Sequence, residues 1–232
     1  MKFGVVIFPG SNCDHDALYA LGTNLGQGTA EIWHESEDLQ GSDAVILPGG
    51  FSYGDYLRAG SIAHLSPAMK AVKRFAASGG LVIGVCNGFQ VLVESGLLPG
   101  ALMRNAQLRF ACKTVYLRTE TFDSPFTAAC PKDSTLAIPI AHGEGSFFVD
   151  PDGLRKLQND DRIAFRYASP IGETSTEANP NGSVDNIAGV LSEGRNVLGM
   201  MPHPERAADP AMGSVDGLPI FQSMIKAFAP AL

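Results

Sequence analysis

Leu81-Val-Ile-Gly-Val-Cys86-Asn-Gly-Phe-Gln90-Val-Leu-Val-Glu94 decides the fold. Its first five residues are apolar or glycine, as in a strand buried on both faces, and a helical pattern follows at once. Gly84-x-Cys86-x-Gly88 is the thiol counterpart of the Gly-x-Ser-x-Gly elbow. Small residues two before and two after Cys86 let the strand turn sharply and hold the thiol in a strained, accessible position. The helix N-terminus beneath offers unpaired N–H groups and partial positive charge. Both favour thiolate over thiol, and the Asn87 N–H can face a developing oxyanion. A cysteine beside valines is by default a packed core thiol; the paired glycines argue for a nucleophile instead.

Working outward, Phe3–Phe8, Ala30–Trp33, Ala44–Leu47 and Leu81–Val85 read as buried strands. Between them, Asp14–Leu25 and Pro67–Ala77 carry apolar residues at helical spacing, the second opened by Ser66-Pro67. Alternating strands and helices predict a mostly parallel sheet with helices on both faces and a site beyond the strands' carboxyl ends. From Lys113 the pattern becomes one of hairpins: Thr114–Leu117, Ala137–Ile140, Ser146–Val149, Ile163–Tyr167, Ile187–Val190 and Val197–Met200, broken by turns such as Pro180-Asn181-Gly182. A last amphipathic helix is expected at Leu218–Phe228. No repeat or linker interrupts the chain, so residues 1–232 are expected to form one α/β domain with an antiparallel extension in the C-terminal half.

A nucleophile needs a base. Pro202-His203-Pro204-Glu205 directly follows the Val197–Met200 strand. The two prolines stiffen the backbone around His203, and a carboxylate two residues on can fix the imidazole's tautomer. Leu47-Pro48-Gly49-Gly50-Phe51 follows a neighbouring strand, where paired glycines expose backbone N–H groups. Gly50 N–H is therefore the second expected oxyanion donor, beside Asn87. No Gly-x-x-x-x-Gly-Lys-Ser/Thr phosphate loop is present. His142-Gly143-Glu144-Gly145 resembles half a metal site without a second ligand pair, so substrate contact or a tight turn is the better reading and no metal is expected. His15, His34 and His64 lie in surface-like contexts, and Cys13, Cys112 and Cys130 read as structural.

Composition narrows the remaining classes. The 17 basic and 24 acidic residues give a net charge of −7, with no dense basic patch, which argues against nucleic acid or an anionic membrane as partner. The four cysteines form no C-x-x-C and no compact disulfide framework. The apolar run Phe3–Phe8, ended by Pro9-Gly10, is shorter than the roughly 7–15 residues of a signal core. No stretch approaches the ~20 apolar residues of a membrane span. A cytoplasmic protein with reduced thiols is expected.

The Cys86, Gly50 and Pro-His203-Pro-Glu205 motifs together resemble the class I, triad-type glutamine amidotransferases, with a flavodoxin-like fold. Further stretches narrow the resemblance: Val6-Ile-Phe-Pro-Gly-Ser-Asn-Cys-Asp14, Gly50-Phe-Ser-Tyr-Gly-Asp-Tyr-Leu-Arg58, Pro139-Ile-Ala-His142-Gly-Glu-Gly and Asn179-Pro-Asn-Gly-Ser183. They are similar to the glutaminase-subunit family of phosphoribosylformylglycinamidine synthase, nearly end to end. The resemblance implies a Cys86, His203, Glu205 triad that hydrolyses L-glutamine through a γ-glutamyl thioester. It also implies that Phe51, Gln90, His142 and Gly143 position glutamine. Ammonia would pass to a separate synthetase subunit of purine biosynthesis, with a small bridging subunit, and ATP and Mg would belong to that partner rather than to this chain. Three alternatives stay open: a glutaminase serving another synthetase, a cysteine hydrolase of similar fold, and a non-catalytic binding subunit.

Overall fold

The computed structural model of the chain describes residues 1–228, so the last four residues of the expected domain lie outside the described residues. In chain order the strands are β1 (Lys2–Ile7), β2 (Gly28–Trp33), β3 (Ala44–Leu47), β4 (Leu81–Val85), β5 (Ala101–Met103) and β6 (Ala111–Thr119). They continue as β7 (Leu136–His142), β8 (Ser146–Phe148), β9 (Ile163–Ala168), β10 (Ile187–Leu191) and β11 (Val197–Met200). The helices are α1 (Asp14–Leu18), α2 (Pro67–Ala77), α3 (Asn87–Glu94), α4 (Pro151–Asn159) and α5 (Leu218–Phe228).

Nine strands form one mixed sheet in the order β2-β1-β3-β4-β11-β10-β9-β6-β7, and β5 pairs with β8 separately. The first five, β2 to β11, are mutually parallel, whereas β10, β9, β6 and β7 pair antiparallel in turn. The expected parallel half and hairpin half are therefore welded through β11, which crosses back to lie beside β4. Every residue of β3 and β11 is buried, as strands covered on both faces require. Helix α2 begins where Ser66-Pro67 predicts, with the Ser66 hydroxyl accepting the Met69 N–H at 3.3 Å. It buries Ala68, Met69, Ala71, Val72 and Ala76.

Three features depart from the sequence reading. The helix expected over Asp14–Leu25 is α-helical only to Leu18 and continues as wide π-helical turns over Tyr19–Asn24. Helix α4 was not anticipated, although Asp150-Pro151 is a cap-and-proline start: the Asp150 carboxylate accepts the Gly153 N–H at 2.7 Å. His34 is buried rather than superficial, with its Nδ1 paired to the Tyr53 hydroxyl at 2.6 Å.

Parallel pairing of β3, β4 and β11 brings their carboxyl ends, Leu47, Val85 and Met200, into one row. The paired-glycine loop, the Cys86 elbow and the Pro-His-Pro-Glu turn all leave the sheet from that row.

Candidate active site

Cys86 sits at φ +52°, ψ −106°, a conformation that L-residues rarely adopt and that costs about 1–3 kcal/mol where the surroundings enforce it. Its N–H donates to Met200 O at 2.8 Å, clamping the elbow to β11. Both flanking glycines are required by close approach. A Cβ on Gly84 would lie 2.5 Å from Leu92 Cδ1, and one on Gly88 would collide with the carbonyl of Leu47. The short strand-to-helix turn thus depends on two missing methyl groups. The Cys86 thiol also donates to Ala141 O in the antiparallel half, at 3.7 Å.

His203 reaches the same place from β11. Its backbone N–H donates to Pro139 O at 2.9 Å, and its ring is 1% exposed. Glu205 Oε1 accepts from Nδ1 at 2.6 Å, which leaves Nε2 as the free nitrogen. Nε2 and the second carboxylate oxygen, Glu205 Oε2, are buried without a partner. Burial opposes a charged imidazole, but the Glu205 carboxylate, then Cys86 and Cys13, hold His203 well above its ordinary value. Gly49 lets the ring lie against the main chain: a Cβ there would come within 2.7 Å of His203 Cε1 and 2.9 Å of Cys13 Sγ.

Gly50, at φ +151°, packs against the loop after β1, and a Cβ on it would lie 2.7 Å from Gly10 O and Ser11 Cα. Asn12 and Cys13 donate their N–H groups to Gly49 O, each at 3.2 Å. The Phe-Pro-Gly-Ser-Asn-Cys stretch is therefore the bed on which the paired-glycine loop lies.

Cys86, His203, Gly50 and Phe51 line one cavity of about 80 Å³, together with Asn12, Cys13, Phe110, Ala141 and Arg206. A wider hollow of about 530 Å³ opens at the opposite, amino end of β11 beside Val197, but no cysteine or histidine lines it. The smaller cavity is the one that both Cys86 and His203 line.

Asn87, Gln90, His142 and Gly143 do not line that cavity. Asn87 and Gln90 form its scaffold. The Asn87 side chain accepts the Ser52 N–H at 3.1 Å and donates to Asp55 Oδ1 at 3.2 Å and Gln90 Oε1 at 2.9 Å. Gln90 Nε2 in turn donates to Glu144 O at 2.6 Å. Burial and the nearby Glu144 carboxylate push Asp55 up to about 6, against the hydrogen bond from Asn87. His142 is 3% exposed and pairs through Nδ1 with Asn105 Oδ1 at 3.0 Å. Burial, and then the charge of His203, push His142 down to about 4, so its ring is neutral near pH 7.

Sequence reasoning missed several participants. Asn105 and Asn181, both fully buried, hold the His142–Gly145 turn: Asn105 Nδ2 donates to His142 O at 2.9 Å and Asn181 Nδ2 to Gly145 O at 2.8 Å. Arg206 adds a guanidinium to the cavity wall, anchored by Asp16 at 2.9 Å. Its place directly after Pro-His-Pro-Glu was the available signal. Cys13 belongs to the site rather than to a remote core: Cys13, His203 and Glu205 place potential ligand atoms within 4.8 Å of one another. His142 and Glu144 take no part in that cluster.

A thiol on a glycine elbow and a carboxylate-backed histidine meet a paired-glycine loop at one cavity, an arrangement suited to a cysteine nucleophile. The family model described as a CobB/CobQ-like glutamine amidotransferase domain matches residues 1–226. The chain is 59% identical to phosphoribosylformylglycinamidine synthase subunit PurQ of Koribacter versatilis, over 99% of each chain. It is 55% identical to the Moorella thermoacetica subunit, over 97% of this chain and 95% of the other. In structure it resembles a chain of PurLQS from Thermotoga maritima, with a TM-score of 0.86 and 41% identity over 98% and 99% of the two chains. The chain belongs to this amidotransferase family, in the branch of the PurQ subunits.

Proposed function

We propose that the chain, as one amidotransferase domain, hydrolyses L-glutamine and supplies the ammonia to a separate synthetase of the PurL type. That enzyme converts formylglycinamide ribonucleotide to formylglycinamidine ribonucleotide, with a PurS-type small subunit in the assembly. One observation carries the chemical part: Cys86 and His203 share a cavity with Gly50, and Glu205 backs His203 at 2.6 Å. The relatives' names carry the pathway.

Cys86 Sγ attacks the side-chain amide carbon of glutamine, and the oxyanion is taken by the N–H groups of Gly50 and Asn87. The thiol proton passes through His203 Nε2 to the departing nitrogen, so the C–N bond breaks as ammonia leaves and a γ-glutamyl thioester remains. His203 then takes a proton from water, which attacks the thioester. Glutamate is released and the proton returns to sulfur. Glu205 holds the ring orientation throughout and stabilises the imidazolium. Phe51 and Arg206 line the cavity that would receive glutamine, and the resemblance gives Gln90, His142 and Gly143 the task of positioning it.

The loops after β3 and before β6 border the cavity through Phe51 and Phe110. Exposed apolar side chains on these loops, Tyr56, Leu57, Leu108 and Phe110, form a suitable docking rim for the synthetase. Among the described residues no helix is long and apolar enough to cross a membrane. The four free cysteines suit the reducing cytoplasm, where we place the protein. ATP and Mg are assigned to the partner.

The test measures glutamate release by the purified chain, alone and with the synthetase, formylglycinamide ribonucleotide and ATP-magnesium. A low rate that rises strongly in the full mixture supports the proposal. A high rate indifferent to the partner refutes the coupling, and no glutamate beside a synthetase competent with free ammonia refutes the glutaminase.

A further inference from the structure

The reaction uses Cys86, His203 and Glu205 and gives no task to Cys13. Yet the Cys13 thiol is 2% exposed, lines the reaction cavity, and donates to Asn12 Oδ1 at 3.1 Å. Its sulfur, one ring nitrogen of His203 and one carboxylate oxygen of Glu205 all lie within 4.8 Å of one another. Two buried atoms beside it, His203 Nε2 and Glu205 Oε2, have no hydrogen-bond partner. A thiol, an imidazole and a carboxylate converging in a closed pocket are a soft-metal donor set, and cysteine, histidine and glutamate are the ligands that zinc selects.

We propose that Cys13, His203 and Glu205 form an inhibitory site for Zn²⁺, which disables the glutaminase by coordinating its base and the base's orienter. Zinc bonds of about 2.0–2.3 Å at tetrahedral angles place ligand atoms roughly 3.3–3.8 Å apart. Cys13 Sγ closes on the ion by up to about an ångström, while His203 Nδ1 and Glu205 Oε1, 2.6 Å apart in their hydrogen bond, open to the same spacing. Coordination displaces the Cys13 thiol proton to water and moves the His203 Nδ1 proton to Nε2, so that the Cys13 sulfur, Nδ1 and the Glu205 carboxylate each give a lone pair. The hydrogen bond between His203 and Glu205 is exchanged for two bonds to metal, so the imidazole no longer accepts the proton of Cys86. A water completes the coordination. Access is through the same cavity that admits the amide.

Inhibition rests on the triad proposed above, but binding does not, and the experiment separates them. All measurements use the full chain with Cys112→Ser, which removes the one exposed thiol. Buffered Zn²⁺ is titrated by calorimetry, and Cd²⁺ is followed by its thiolate charge-transfer absorption. The expected result is one ion per chain, with affinity changed by no more than about threefold in Cys86→Ala and lowered about a hundredfold or more by Cys13→Ser, beyond the usual loss for an outer-sphere partner. Cys13→Ser keeps the side chain's size, and a thermal melt checks its folding. Its glutamate release, measured in the complex, should lose zinc sensitivity by a similar factor. The proposal is overturned if binding follows Cys86 instead of Cys13, if zinc inhibits Cys13→Ser as strongly as its parent, or if the parent binds no stoichiometric ion. A parent that binds zinc through Cys13 but hydrolyses no glutamine would refute the proposed reaction and leave the metal site standing.

Discussion

The side-chain oxygen of Asn87 accepts the backbone N–H of Ser52 at 3.1 Å, tying the helix below the nucleophile to the loop that carries Gly50. The two proposed oxyanion donors thus belong to one braced unit. Replacing Asn87 with alanine leaves its own N–H in place but cuts the brace and deprives Asp55 and Gln90 of their amide donor. The expected outcome is a fall in kcat of about ten- to a hundredfold with a smaller change in KM, since a loosened donor weakens mainly the transition state. Steady-state glutamate release in the complex checks this. A rise in KM alone would mean that the brace serves binding.

Cys86→Ala should abolish glutamine-dependent synthesis while leaving synthesis from ammonium salts intact in the assembled complex. Loss of both would make Cys86 structural.

His203→Ala should lower kcat by about 10²–10⁴-fold, the usual weight of a positioned general base. Glu205→Gln should cost less, because Nδ1 keeps a hydrogen-bond acceptor while losing the charge. Of the influences that raise His203, the Glu205 carboxylate is the largest, so the same variant should move the acidic limb of the kcat/KM profile toward lower pH. An unmoved limb would detach Glu205 from the base.

Asp55 contributes a pH signature of its own. Its folded value of about 6 lies above the ordinary carboxylate range, so between pH ~4 and ~6 the folded state binds more protons than the unfolded one, and this contribution to stability declines as pH rises. His142, pushed down to about 4, acts with the opposite sign over the same range. Comparing wild type with Asp55→Asn cancels the histidine. The variant's melting temperature, relative to wild type, should climb from pH 4 to pH 7. A flat difference would show that Asp55 ionises normally.

Gly88→Ala would drive a methyl group into the Leu47 carbonyl. Backbone cannot yield as a side chain does, so unfolding free energy should drop by about 1–3 kcal/mol or more, and activity should fall with it. Urea denaturation checks the first and glutamate release the second. An unchanged midpoint would mean that the elbow has slack.

The elbow, the base and the parallel half were legible because each rests on local rules: glycines around Cys86, prolines around His203, apolar runs for β3 and β4. What escaped was set by contacts distant in sequence. Asn105 and Asn181 are loop asparagines until β6 and β7 fold beside the elbow and make them the fasteners of the His142 turn. Cys13 reads as a core thiol because nothing near it announces that Gly49 will seat it against His203. Gln90 reads as a glutamine-positioning residue from the resemblance, and the hydrogen bonds of its amide to Asn87 and Glu144 reflect a fold that the sequence does not display. The π-helical continuation of α1 has no short-range signature in Tyr19–Asn24.

The weld between the two halves of the sheet also decides how the site fails. Cys86 leaves β4 in the parallel half, whereas the backbone N–H of His203 is held by Pro139 O of β7 in the antiparallel half. Proton transfer between thiol and imidazole therefore needs both halves in place, so partial unfolding ends in an inert protein rather than an uncontrolled hydrolase.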